Sequence, residues 1–231
     1  MNNEILFFIA IVINFTGILI AYKLFGKTGL FSWVAIATVI ANIEVTKCVN
    51  LFGLSVTLGN VIYGTSFLAT DILSEVYTKK QAQKAVWIGF FSLIITTILM
   101  QISLQFVPNE FDQVNNALHS IFAVMPRICI ASGVAYLISN MFDTISFDFI
   151  KKLLPQNKWL WVRNNGSTLT SQAIDTIVFT VSAFWGIYDT KTIIELCLTT
   201  YTIKVLISLL DTPFLYIAKN FNKKGSDING E

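Results

Sequence analysis

Five acidic residues lie inside or at the edge of long apolar stretches of the sequence. They are Asp71, Glu75, Asp143, Asp175 and Asp211. A charged side chain at the centre of a bilayer costs at least about 2.5 kcal/mol, so such residues usually mark a path for a substrate or an ion. If the apolar stretches cross a membrane, transport is the first function that these carboxylates indicate.

One of these stretches offers a stripe of groups that could bind a ligand. Thr168, Gln172, Asp175 and Phe179 follow one another at spacings of 4, 3 and 4 residues, which places them on one helix face. An amide, a carboxylate and an aromatic ring suit a planar heterocycle whose edges form hydrogen bonds. The same residues could instead form a hydrogen-bonded seam between two helices.

Other charged residues are candidates for ion coupling or for structural charge. Asp71 and Glu75 share a helix face, so two ionised carboxylates would repel unless one is protonated or a cation lies between them. Lys204 lies in the middle of an apolar stretch, seven residues before Asp211, and must pair with a counter-charge. The residues predicted for coupling or structural charge are Glu75, Lys204, Asp211, Asp143 and Arg163.

The sequence contains none of the usual arrangements for catalysis or metal binding. Its three cysteines, Cys48, Cys129 and Cys197, are far apart in apolar segments and read as small buried hydrophobes. No metal-ligand spacing, nucleophile–base set or GxxxxGK[ST] phosphate loop is present. We therefore expect no enzyme activity and no cofactor, and an ATP-driven mechanism would need a partner protein.

The composition identifies the elements that must position these residues. Charged residues make up only 13% of the 231 residues and hydrophobic residues 54%, whereas soluble proteins carry about 25% charged residues. Lipid is therefore the expected solvent. Apolar runs of about 20 residues, the length that crosses a bilayer, predict seven spans, at residues 5–25, 30–49, 56–77, 85–107, 120–150, 166–188 and 192–220.

The basic residues predict the orientation of these spans, because Lys and Arg concentrate in cytoplasmic loops. With the N-terminus outside, twelve of the 16 basic residues fall in inner loops or in the C-terminal tail. The prediction is an all-α bundle of 6–7 transmembrane helices, N-terminus out and C-terminus in. Residues 1–220 would form one membrane domain and 221–231 a polar cytoplasmic tail. Six spans would result if the polar second and third segments form something less regular.

Three groups of residues carry a resemblance to a known family. They are Asn60, Phe67, Asp71, Glu75 and Tyr77; Trp161, Arg163, Asn164, Asn165, Ser167, Gln172, Asp175 and Thr176; and Lys204 with Asp211, Thr212 and Pro213. With these residues the chain resembles the queuosine precursor transporter family, over roughly residues 30–217. One departure is Thr78, where a glycine would be expected after Tyr77.

The resemblance implies a multi-pass importer of 7-deazaguanines in the cell inner membrane. The substrates would be 7-cyano-7-deazaguanine, its aminomethyl relative or queuine, which are used to modify transfer RNA. Because the sequence has no phosphate loop, we expect a secondary transporter that works without ATP. The alternative is a substrate-binding membrane subunit of an ATP-driven uptake complex. The partners would be the substrate and the lipid bilayer, with no nucleic acid and with homo-oligomers left open. The predicted substrate-binding residues are Asp175, Gln172, Asp71, Asn60, Phe179, Asn164 and Trp161.

Overall fold

The computed structural model describes the backbone of residues 2–156 and 159–229, and their side chains outside 140, 143–144, 147–148, 160–165, 209, 211–212 and 219–229. Most of this part of the chain is helical. In chain order the elements are α1 (Asn3–Glu44), β1 (Cys48–Leu51), β2 (Leu54–Thr57), α2 (Asn60–Ile72), a π-helical turn (Leu73–Tyr77), α3 (Lys79–Ser103), α4 (Asn115–Phe122), α5 (Met125–Leu153), α6 (Leu160–Phe184) and α7 (Thr190–Asn229).

Long apolar helices confirm the predicted helical membrane class. Within the described residues, four helical segments are long and apolar enough to cross a membrane: Asn3–Glu44, Lys79–Ser103, Asn115–Ser139 and Thr190–Ala218. Their outward side chains are large and apolar, as lipid contact requires. The chain divides into two compact units, Met1–Met125 with Leu206–Glu231, and Pro126–Val205.

Helix α1 of the first unit is a hairpin of two arms, because the backbone reverses at Gly26. This residue has φ 56° and ψ −135°, a conformation that favours glycine. A Cβ on Gly29 would collide with the Ala21 carbonyl oxygen, and one on Gly17 would lie 2.7 Å from the Trp33 ring. Since these contacts mirror each other about residue 25, arms 3–25 and 27–44 run antiparallel. They overlap the predicted spans at residues 5–25 and 30–49, but the second arm ends at Glu44.

Helices α2 and α3 pack against the second arm of α1. The Trp33 indole N–H donates to the Thr65 hydroxyl of α2 at 2.9 Å. A Cβ on Gly89 of α3 would lie 2.6 Å from the Thr38 hydroxyl oxygen, so this glycine allows the two helices to approach closely.

Helix α7 completes the first unit with residues from the other end of the chain. The Phe214 ring stacks on Phe15 of α1, with centroids 4.6 Å apart. A Cβ on Gly64 of α2 would collide with the Ile207 side chain, so this glycine allows the two helices to approach closely. The last helix therefore packs against two helices, α1 and α2, that lie more than a hundred residues earlier in the sequence.

A small β-hairpin replaces the ends of the predicted second and third spans. Strands β1 and β2 pair antiparallel, with Leu51 opposite Leu54. Phe52 and Gly53 between them have φ of 53° and 77°, the left-handed values that a two-residue hairpin turn requires. The predicted boundaries at residues 49 and 56 were wrong, because a short apolar run fits a strand as well as a helix end. The chain here is less regular than two full spans.

The second unit contains parts of α5, α6 and α7. Ile128, Ala131, Ala135 and Ser139 of α5 are buried and recur on one face. The break between α4 and α5, inside the predicted fifth span, lies just before Pro126, which lacks the N–H that would continue α4. Helix α6 begins at Leu160, six residues before the predicted sixth span, and α7 continues to Asn229 beyond the predicted seventh.

Candidate functional site

A buried ion pair joins α6 to α7 in the second unit. Lys204 Nζ lies 2.6 Å from Asp175 Oδ2, and the two side chains are 9% and 10% exposed. The other carboxylate oxygen, Asp175 Oδ1, is 3.5 Å from the hydroxyl of Ser139 on α5. Three helices thus converge on one carboxylate whose charge is compensated inside the protein.

The amide of Gln172 lies one turn before Asp175 on α6. Its Oε1 atom is buried and has no hydrogen-bond partner among the described residues. A buried acceptor without a donor costs about 1–3 kcal/mol, so this oxygen is suited to a donor that a ligand would bring. The neighbouring hydroxyls are already used: Ser171 donates to the Thr168 carbonyl and Thr176 to the Gln172 carbonyl.

The rest of the predicted α6 stripe is more open. Thr168 is exposed and Phe179 is half-buried, with its ring 6.2 Å from that of Phe184. Asp175 and Gln172 are therefore the polar members that the protein interior encloses, between an exposed hydroxyl and an aromatic ring.

In the first unit, α2 carries the other predicted ligands. Asn60 lies in its first turn, where its amide N–H donates to the Thr57 carbonyl at 3.1 Å. Phe67 is half-buried, and its ring centroid lies 4.9 Å from that of Tyr63, with the planes at 76°. Asp71 is exposed at the end of α2, just before the π-helical turn that contains Glu75.

Five of the predicted site residues have side chains outside the described residues. They are Asp143, Trp161, Arg163, Asn164 and Asp211. The predicted roles of all the site residues remain predictions.

The turn between α6 and α7 is fixed by two polar side chains that the sequence analysis did not assign. Arg127 of α5 donates to the Ser182 carbonyl at 2.9 Å and to the Trp185 carbonyl at 2.5 Å, at the C-terminus of α6. Asp189 precedes α7 and accepts a hydrogen bond from the Thr192 hydroxyl at 2.5 Å. That bond lowers the pKa of the Asp189 carboxyl from its ordinary value. In the sequence, the position of each residue next to a helix end was the signal that could have indicated its capping role.

Comparison with known proteins identifies the family. The family described as "Putative vitamin uptake transporter" matches residues 57–218. The chain is 45% identical over 218 residues to the "Probable queuosine precursor transporter" of Bacillus subtilis (strain 168), covering 94% of this chain and 95% of that protein. The chain belongs to the queuosine precursor transporter family.

A more distant member of the queuosine precursor transporter family agrees with this assignment. The "Queuosine precursor transporter" of Escherichia coli (strain K12) is 28% identical over 194 residues, which cover 82% of this chain and 83% of that protein. No solved structure matches the chain. Because this is a family of transporters and not of enzymes, and because its apolar helices are long enough to span a bilayer, the chain is a multi-pass membrane transporter.

Proposed function

We propose that this protein imports queuosine precursors across the cell inner membrane. The observation that carries the proposal is the 45% identity, over nearly the full length of both chains, with a relative named as a probable transporter of these compounds. The substrates would be 7-deazaguanines: 7-cyano-7-deazaguanine, its aminomethyl relative or queuine.

The polar groups of α6 support a guanine-like substrate. Such a base presents ring and amino N–H donors along one edge, and it needs acceptors. The buried Oε1 of Gln172 supplies one acceptor. Asp175 supplies a second, although its Oδ2 already accepts from Lys204, so a substrate N–H would share the carboxylate with that lysine. The groups fit the donor pattern of the base without a cofactor.

The first unit supports the predicted orientation, with the N-terminus outside. The Lys27 ammonium lies 5.8 Å from the centre of the Tyr77 ring, so the turn at Gly26 and the turn at Thr78 lie together. These turns carry five lysines, Lys23, Lys27, Lys79, Lys80 and Lys84. At the opposite end of α1, the Asn3 amide donates to the Asn50 carbonyl of the β-hairpin. A basic end and a less basic end are what the positive-inside rule expects.

We propose a secondary mechanism that uses an ion gradient, because the sequence has no phosphate loop. The test is uptake of radiolabelled 7-cyano-7-deazaguanine into liposomes that contain only this protein. Uptake that stops when the ion gradient is collapsed would support the proposal. Transport that requires a second subunit and ATP would favour the binding-subunit alternative. No binding and no uptake of any of the three precursors would refute the proposed substrate class.

A further inference from the structure

We propose that Tyr63 and Phe67 of α2 form an aromatic platform on which the planar ring of the substrate stacks, with Asp71 accepting a hydrogen bond from a ring or amino N–H. This inference rests on the proposed function, because it concerns the same substrate. It adds a recognition element that involves Tyr63, a residue outside the predicted binding set.

The platform residues share one face of the helix. Asn60, Tyr63, Phe67 and Asp71 follow at spacings of 3, 4 and 4 residues, which is the repeat of one α-helical face. The rings of Tyr63 and Phe67 meet edge to face, with centroids 4.9 Å apart. Both side chains are half-buried, so part of each ring remains accessible.

Packing holds the platform in place from behind. Tyr63 packs against a buried cluster formed by Ala37, Ala41 and Ile62. The helix is also fixed to α1 by the bond from Trp33 to Thr65. A ring that is anchored on one side loses little freedom when a ligand stacks on the other, and this favours binding.

The polar residues at the ends of this face indicate that it does not contact lipid. Asp71 is exposed and makes no hydrogen bond or ion pair within the part of the chain that the structure describes. An ionised carboxylate would be strongly unfavourable against acyl chains. Phe67, one turn earlier on the same face, therefore borders the same polar space as Asp71.

Helix α3 shows what a lipid-facing stripe of this protein looks like. Trp87, Phe91, Ile98 and Ile102 recur along it, all between 49% and 65% exposed. No charged residue occurs between Lys84 and Glu110. The α2 face differs because it combines aromatic rings with an amide and a carboxylate.

Asp175 and Asp71 differ in how the charge of each carboxylate is balanced. Asp175 is buried and neutralised by Lys204, whereas Asp71, on the surface of α2, lies near a second carboxylate, Glu75. A ligand that brings N–H donors would give the Asp71 carboxylate a hydrogen-bond partner. The helix also becomes π-helical directly after it, at Leu73–Tyr77, and such turns often occur at functional sites.

The experiment is equilibrium binding of radiolabelled 7-cyano-7-deazaguanine to the full chain in nanodiscs. Replacing an aromatic residue that stacks on a base weakens binding by about 5- to 150-fold. We expect losses in this range for Tyr63→Leu and for Phe67→Leu. Tyr63→Phe, which keeps the ring, should bind within about twofold of the parent. Phe91→Leu on the lipid-facing stripe is the matched control and should bind like the parent.

A second readout is the near-ultraviolet absorption of the bound base, which stacking on an aromatic ring weakens and shifts to longer wavelength. We expect this change with the parent and with Tyr63→Phe, and a smaller one with Phe67→Leu. If the parent binds but Phe67→Leu binds equally tightly and leaves the absorption change intact, the platform does not exist. If Tyr63→Leu is not recovered as folded protein, Phe67→Leu and the absorption change decide the question. If the parent binds no precursor, the proposed function itself fails.

Discussion

Removing one partner of the Lys204–Asp175 pair should destabilise the second unit more than removing both. At 2.6 Å the attraction is about 6 kcal/mol for an effective dielectric constant of 20, and desolvation of the two ions offsets most of it. The intact pair therefore contributes little net stability. Lys204→Met or Asp175→Asn alone leaves the other charge buried without a counter-charge, which should lower the free energy of unfolding by about 3–5 kcal/mol.

The double variant tests this reasoning because it removes both charges. Asp175→Asn with Lys204→Met should lie within about 2 kcal/mol of the parent, since a neutral amide beside an apolar chain leaves no buried ion. The assay is unfolding by SDS titration in mixed micelles, on the parent, the two single variants and the double variant. A double variant as unstable as the sum of the two single variants would refute the argument, because the side chains would then act independently.

The same cycle separates structural from ligand-binding roles of Asp175. A loss of binding in Asp175→Asn is ambiguous by itself, because the substitution also leaves Lys204 without its counter-charge. If the stable double variant regains 7-deazaguanine binding, the carboxylate is structural. If it stays about 10- to 150-fold weaker, which corresponds to about 1.5–3 kcal/mol for one charge-assisted hydrogen bond, then Asp175 contacts the substrate.

Three further perturbations follow from the fold. Gly26→Ala should destabilise the protein by about 1–3 kcal/mol, because the φ of 56° at this position strains any residue with a Cβ. The control is Gly133→Ala, at a helical position with open space around it. Equal unfolding curves for the two variants would contradict the hairpin. Cys48 is exposed, so the prediction that it is buried was wrong. In a background where Cys48 is kept and Cys129 and Cys197 are serine, Asn222→Cys should resist a membrane-impermeant maleimide added outside while Cys48 reacts; the reverse pattern would invert the proposed topology. Asp189→Ala should lower the unfolding temperature at pH 7. Because the pKa of this carboxyl is lowered in the folded protein, its stabilising effect is present above the ordinary pKa of about 3.9 and is lost as the pH falls through the folded value. A difference in unfolding temperature from the parent that persists at the lowest pH would refute the capping role.

The sequence predicted what depends on composition and local spacing. The apolar runs on either side of Phe25 and Leu30 predicted two spans, and the reversal at Gly26 lies between them. The β-hairpin was missed because its strands are four residues each, too short for periodicity to separate them from helix ends. Its Phe52–Gly53 turn was the available signal.

The sequence could not predict which residues from distant parts of the chain contact each other. Lys204 was expected to need a counter-charge, but its own helix offered Asp211 and the neighbouring helix Asp175. The packing of α6 against α7 places Asp175 within 2.6 Å of the Lys204 ammonium, and the sequence spacing could not show this. In the same way, sequence spacing could not show that Arg127 caps the end of α6, 55 residues away in sequence.

The contacts of Phe214 with Phe15 and of Ile207 with Gly64 have a consequence for biosynthesis. The first unit contains both ends of the chain, so α1 and α2 enter the bilayer well before the helix that completes them is translated. At about 5–20 residues per second, the roughly 140 residues between Gly64 and Ile207 impose a delay on the order of 7–30 s. During this time the surfaces of Phe15 and Gly64 that later contact Phe214 and Ile207 are uncovered. A nascent chain that terminates before Leu206 would lack both contacts, so we expect membrane proteases to degrade it.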